Sequence, residues 1–255
     1  VRIEDLDPPR EMPGAREQIP KTLEQFGFEW DGPVILQSQR LDIYRDYLHT
    51  LEAKGSVYRC QCSRKQLQQR SGGNIYDGYC RQHPPADKTA AAYRCICEDR
   101  TFNFDDRIQG VQQYYLPKCS GDFVLFRKDG LFAYQMAVVI DDELQQISHV
   151  VRGHDLLDET PRQQQLQQHL TFRELQYAHI PVANNIAGQK LSKQNLAEAI
   201  TPSQASALLW QALSFLGQQP DADLQKESAT TLLQWGIKHW NIDAVPKTDA
   251  ILWQG

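Results

Sequence analysis

The segment Lys190-Leu191-Ser192-Lys193-Gln194 places two lysines around a serine, just after a glycine, Gly188. Ammonium groups spaced this way on a loop can grip the phosphates of a nucleotide and follow the charge that develops in phosphoryl or nucleotidyl transfer. An ordinary solvated loop can also read K-x-S-K, so the surroundings must decide. A second chemistry-bearing pattern is the pair of C-x-C runs, Cys60/Cys62 and Cys95/Cys97. Residues i and i+2 of a strand point to the same side. In a reducing compartment such thiol pairs read as metal ligands rather than disulfides. Spacing favours a four-thiolate zinc set from the two pairs. Cys119 stands apart from both.

The elements that must position these groups alternate between strand and helix. Val1–Leu6 reads as a strand, broken by Asp7-Pro8-Pro9-Arg10. Pro13–Phe26 is helical, with Ile19, Leu23 and Phe26 on one face and a kink or restart expected at Pro20. Val34–Gln37 is a short strand. Arg40–Lys54 is an amphipathic helix facing inward through Tyr44, Tyr47, Leu48 and Leu51, with Gly55 as its stop. From residue 56 to about 118 the character changes. Five of the six cysteines lie there, with short strands at Val57–Cys60, Tyr93–Cys97 and Thr101–Phe104 and a Ser71-Gly72-Gly73 turn. An inserted module with its own small core is expected. From Asp122 the strands Phe123–Arg127, Ala133–Ile140 and His149–Arg152 follow, the second apolar enough to be buried on both faces. Thr160–Leu170 is a helix with Pro161 in its first turn, and a strand at Ala178–Val182 leads into the loop Asn184–Gln194. Helices Ser203–Leu216 and Leu224–His239 and a short tail complete the chain. The pattern predicts an α/β, Rossmann-type nucleotide-binding fold in two parts, 1–55 and 121–200, split by an insert at 56–120 and followed by a helical region at 201–255.

Bulk properties narrow the classes further. Hydrophobic residues make up 41% and charged residues 23% of the 255, ordinary values for a soluble protein able to bury a sizeable core. No apolar run approaches the roughly 18–20 residues that span a bilayer, and no signal segment is present, so a cytoplasmic protein without a membrane partner is expected. A net charge of −5 argues against indiscriminate coating of nucleic acid but permits a shape-selective RNA partner.

Several segments, in order, point to one family. Val1-Arg2-Ile3-Glu4-Asp5-Leu6-Asp7-Pro8-Pro9-Arg10 resembles the R-[IL]-E-D-T/I-D-P-x-R segment of class I glutamyl and glutaminyl tRNA synthetases. Asp129-Gly130-Leu131-Phe132-Ala133-Tyr134 with its continuation to Asp142 resembles D-G-x-x-[AT]-Y-x-x-A-x-V-V-D-D, and Val151-Arg152-Gly153-His154-Asp155-Leu156 resembles V-[IV]-R-G-x-D-L. The Lys190 segment, preceded by His179-Ile180-Pro181, resembles the family's KMSKS signature in its K-L-S-K form. These matches run from residue 1 to about 195 and are specific as a set. The resemblance implies that Glu4 meets the amino group of bound L-glutamate and that Tyr134 and Arg152 line the amino-acid pocket. A guanidinium fork suits a carboxylate, and a phenol adds a directional hydrogen bond. It also implies ATP with Mg²⁺, bound by Lys190, Leu191, Ser192, Lys193 and Gln194, with Lys190 and Lys193 catalytic.

The resemblance changes the zinc reading. Cys60-x-Cys62 and Tyr76-x-Gly78-x-Cys80 match the family's C-x-C and Y-x-G-x-C blocks, which implies one structural Zn²⁺ held by Cys60, Cys62, Tyr76 and Cys80. Cys95 and Cys97 then read as small buried hydrophobes. About sixty residues follow Lys193, too few for an anticodon-binding domain, which points to the shortened glutamyl-queuosine branch. That branch activates glutamate without tRNA and attaches it to the queuosine at the wobble position of tRNA(Asp). A monomer is expected. The family's HIGH-like motif and first strand would precede Val1, so a longer natural protein is expected, with little activation by the chain as it starts here. The alternative is an impaired synthetase-like protein that binds tRNA or glutamate. A zinc-ribbon nucleic-acid binder would account only for the middle quarter.

Overall fold

In the computed structural model, residues 1–8, 11–72, 75–86, 89–192 and 200–253 are described. The strand β1 (Arg2–Ile3) is followed by the helix α1 (Ala15–Gln25), which runs unbroken through Pro20. The expected restart does not occur, because a proline in the second turn forgoes only one backbone bond. Strand β2 (Ile35–Leu36) lies parallel to β1, with Arg2 opposite Ile35. Helix α2 (Leu41–Ala53) buries Tyr44, Leu48 and Leu51, the 3.6-residue stripe read from the sequence, and Gly55 beyond its end takes a positive φ of 67°.

Next come β3 (Val57–Cys60), α3 (Arg64–Ser71), α4 (Tyr79–Gln82), β4 (Ala92–Cys95), β5 (Thr101–Asp106), β6 (Gly110–Tyr115) and α5 (Leu116–Cys119). A capping box between Ser63 and Gln66 starts α3. The second half holds β7 (Phe123–Phe126), α6 (Tyr134–Leu144), β8 (His149–Gly153), α7 (Thr160–Leu170), β9 (Gln176–Ile180) and β10 (Val182–Asn184), then α8 (Ala205–Phe215), α9 (Ala229–His239) and β11 (Ala250–Leu252).

One antiparallel sheet has the order β3-β4-β7 and another, mixed, has the order β6-β5-β9-β8. In the latter, β9 runs parallel to both β5 and β8. The segment between residues 56 and 120 is therefore tied into both sheets. Its Val57, Cys95, Cys97, Phe102 and Leu116 belong to the main core beside Tyr44, Leu51, Met136, Ile140 and Leu166. A separate small cluster does form there, around Cys60, Tyr76 and Cys80.

The stretch read as the strand Ala133–Ile140 is the helix α6. Its β-branched run, Val138-Val139-Ile140, imitates a buried strand. Burial on nearly every side, from Gln135 to Asp142, erases the helical period that would have revealed it. The tail is also more than helix, since β11 pairs in parallel with β10. No described helix is long and apolar enough to cross a membrane.

Candidate functional site

A cavity of about 930 Å³ lies along β1, α6 and β8, and Arg2, Glu4, Tyr134, Asp142 and Arg152 are among the residues that line it. Glu4 follows the last residue of β1, Arg152 sits near the carboxyl end of β8, and Tyr134 is the first residue of α6. Crevices at the carboxyl ends of parallel strands are where α/β folds bind ligands. Three residues from distant parts of the sequence thus share one cavity. Arg2 braces its floor, with Nη2 3.1 Å from Glu4 Oε1 and Nη1 2.8 Å from Asp142 Oδ1. Burial pushes the Asp142 carboxyl up, and Arg2 opposes that shift. Tyr134 is pushed up as well, chiefly by burial, so its phenol keeps its proton and can donate.

Arg152 is held through all three of its guanidinium nitrogens. Its Nη1 donates to Gln163 Oε1 and its Nη2 to Thr160 Oγ1, both at 2.8 Å, and Nη1 lies 3.4 Å from the Tyr134 hydroxyl. Its Nε donates to His179 Nε2 at 3.0 Å. Both signs of charge with directional donors suit a zwitterion such as an amino acid.

The phosphate-gripping segment is described in part. Lys190 forms an isolated bridge with Asn184, and its Nζ lies 2.6 Å from Asp155 Oδ2. The Leu191 N–H donates to the Ala183 carbonyl at 2.7 Å, and Ser192 is half-buried. Lys193 and Gln194 lie outside the described residues. Lys190 is not among the residues lining the cavity of Arg152.

The cysteines separate as the family blocks imply and not as bare spacing suggests. The Sγ atoms of Cys60, Cys62 and Cys80 all lie within 4.8 Å of one another. The Tyr76 hydroxyl joins them, 3.3 Å from Cys60 Sγ and 3.4 Å from Cys62 Sγ. Three thiols and a phenol converging on one point form a donor set that fits tetrahedral zinc. Positive charge backs it, since Arg70 Nη2 and Arg94 Nε each reach 3.3 Å from a cysteine sulfur, Cys62 and Cys60 respectively. Such charge stabilises thiolates. Cys95 and Cys97 are core residues, and burial raises both thiols, Cys97 to about 12.

Three residues of this region carry no role in the motif reading. Asp155 pairs with Lys190, and it folds back so closely that a side chain at Gly153 would meet its Oδ1 at 2.5 Å. Asp106 and His179 stand behind Arg152, with His179 Nδ1 2.6 Å from Asp106 Oδ2. Alternation along β5 was the available signal: Phe102 and Phe104 point inward, so Asp106 does too.

Comparison with known proteins gives this geometry a family. Residues 1–213 match the family described as tRNA synthetases class I (E and Q), catalytic domain. A relative from Dechloromonas aromatica named glutamyl-Q tRNA(Asp) synthetase is 48% identical over 258 residues, covering 99% of this chain and 86% of the relative. A namesake from Neisseria meningitidis serogroup A is 47% identical, covering 97% and 85%. Among solved structures, a glutamate tRNA ligase from Elizabethkingia meningosepticum in complex with its amino acid shares the fold, with a TM-score of 0.78 at 24% identity. The alignment covers 99% of this chain but only 60% of that ligase. The chain therefore belongs to the class I tRNA synthetases (E and Q), a family of ligases, among relatives that carry the name glutamyl-Q tRNA(Asp) synthetase.

Proposed function

We propose that this chain activates L-glutamate with ATP in the absence of tRNA and transfers the glutamyl group to the queuosine at the wobble position of tRNA(Asp). The observation that carries the reading is the gathering of Glu4, Tyr134 and Arg152 on one cavity along β1, α6 and β8. The names of the relatives supply the acceptor. Glu4 would pair with the substrate ammonium group, while Arg152 and Tyr134 would take a carboxylate.

In the first step a glutamate carboxylate oxygen attacks the α-phosphorus of ATP, the bond to the bridging oxygen breaks, and pyrophosphate leaves. Mg²⁺ accompanies the nucleotide and neutralises phosphate charge. Lys190 and Lys193, with Leu191, Ser192 and Gln194, would hold the triphosphate, exchanging the Asp155 carboxylate on Lys190 for phosphate oxygen. In the second step a cyclopentenediol hydroxyl of queuosine attacks the acyl carbon and AMP leaves. Cys60, Cys62, Tyr76 and Cys80 would hold one structural Zn²⁺ away from this chemistry. The working form would be a cytoplasmic monomer.

The test is glutamate-dependent ATP–pyrophosphate exchange without tRNA, run on this chain and on a version extended upstream of Val1. Exchange with glutamate is expected from the extended version, followed by transfer to queuosine-containing tRNA(Asp) and not to the same tRNA lacking queuosine. Arg152→Lys should lower kcat/KM for glutamate on the order of 100-fold, because an ammonium cannot replace a planar fork. Folded protein with no exchange in either form would instead support the tRNA- or glutamate-binding reading.

A further inference from the structure

Asp106 and His179 are 1% and 0% exposed, and nothing in the proposed reaction uses them. Burying a carboxylate beside an imidazole is costly unless every polar atom is matched. Here the matching is complete and directional. Asp106 Oδ1 accepts the backbone N–H groups of Ile108 (3.1 Å), Gln109 (2.9 Å) and His179 (3.1 Å). Asp106 Oδ2 faces His179 Nδ1 at 2.6 Å. Burial works against the charged form of Asp106, but the His179 side chain and these backbone donors outweigh it and hold the carboxyl at about 2. An ionised carboxylate only accepts, so Nδ1 carries a proton toward it, and the Arg152 Nε–H aimed at Nε2 from 3.0 Å requires a lone pair there.

That lone pair has one use. His179 lies opposite Arg152 in the parallel register of β9 and β8, and the Arg152 Nε–H points at Nε2 from 3.0 Å. A guanidinium can only donate, so the contact exists for one tautomer and not for the other.

We infer that Asp106 and His179 are positioning residues for Arg152: the carboxylate selects the histidine tautomer, and the histidine fixes the guanidinium plane that receives the substrate carboxylate. Thr160 and Gln163 hold the two Nη atoms from the other side, so the group is pinned on both flanks. The inference rests on the reading of Arg152 as a carboxylate fork and extends it to a pair that never touches substrate. Asp106 lies on β5 and His179 on β9, so the chain of contacts begins in the segment between residues 56 and 120 and ends in the cavity.

Asp106→Asn tests the tautomer directly. Three backbone N–H donors keep the asparagine carbonyl at the place of Oδ1, so its NH₂ group faces Nδ1. The ring proton then moves to Nε2, where it opposes the Arg152 Nε–H. The side-chain ¹⁵N–¹H spectrum of His179 should show Nδ1–H in the parent protein and Nε2–H in the variant. KM for glutamate should rise about tenfold or more, the loss of one charge-assisted hydrogen bond, with KM for ATP unchanged. His179→Gln, whose amide oxygen can take the place of Nε2, should recover most of the affinity that His179→Ala loses, and it serves if Asp106→Asn does not fold. A parent His179 protonated at Nε2 would overturn the inference. So would a glutamate KM within about twofold of the parent in both Asp106→Asn and His179→Ala. A parent protein that exchanges no pyrophosphate would count against the proposed function instead, and the histidine spectra would still decide the tautomer.

Discussion

Asp141 is a carboxylate placed in the main core. It is fully buried within α6 and accepts three hydrogen bonds, from Gln37 Nε2 (3.0 Å), Arg40 Nε (2.7 Å) and the Tyr44 hydroxyl (2.7 Å). Those donors lie just before and within α2, so one carboxylate joins that helix to α6. The ion pair adds little beyond what a well-packed apolar group would give, but removing one partner strands the rest. Asp141→Ala should therefore cost about 3–5 kcal/mol in urea unfolding, while Tyr44→Phe, which leaves the carboxylate two donors, should cost about 1 kcal/mol. A loss below about 1 kcal/mol for Asp141→Ala would show that water replaces the carboxylate.

The elements around the cysteines are small for what they hold. Helix α3 buries no residue and α4 buries only Cys80, so neither has an apolar face sufficient to fix it. Their order must come from the cluster of Cys60, Tyr76 and Cys80, and from Asp122. Asp122 accepts from the Tyr58 hydroxyl at 2.5 Å, from the Cys97 N–H at 2.8 Å and from Arg81. One zinc ion per chain is expected by elemental analysis, and none in Cys80→Ser. Chelation should speed hydrogen exchange in α3 and α4 while α2, α6 and α7 stay protected. Uniform loss of protection across all five helices would assign the metal a global role.

At the scale of the whole molecule, the sheets decide how many pieces the chain contains. Strands β3 and β4 pair through to β7, and β5 pairs with β9, which itself supports β8. Excising residues 57–119 would remove β3, β4, β5 and β6, the core residues Phe102 and Leu116, and Asp106. That variant is expected not to fold. Replacing only residues 61–91 by a short linker spares β3 through Cys60 and β4 from Ala92, and it should leave a cooperative, if weaker, thermal transition. A stable fold after the larger excision would show that the two flanking parts form a domain without it.

Periodicity in the sequence was enough for elements whose surroundings are one-sided. Helix α2 shows its stripe of Tyr44, Leu48 and Leu51 because one face can be told from its opposite, whereas α7, buried on most sides, was legible through its first-turn Pro161. The family resemblance, and not spacing, singled out Glu4, Tyr134 and Arg152, which share one cavity, and Tyr76 and Cys80, which gather with Cys60 and Cys62. Where burial is all-round the pattern disappears, and α6 reads as a strand. The ordered segments of the sequence were enough to place the chain in its family, as the match over residues 1–213 shows. Only tertiary structure decided that Asp106, seventy-three positions from His179, stands behind Arg152. A hydrogen bond between parallel strands depends on register, and register is set by the sheet as a whole rather than by either segment.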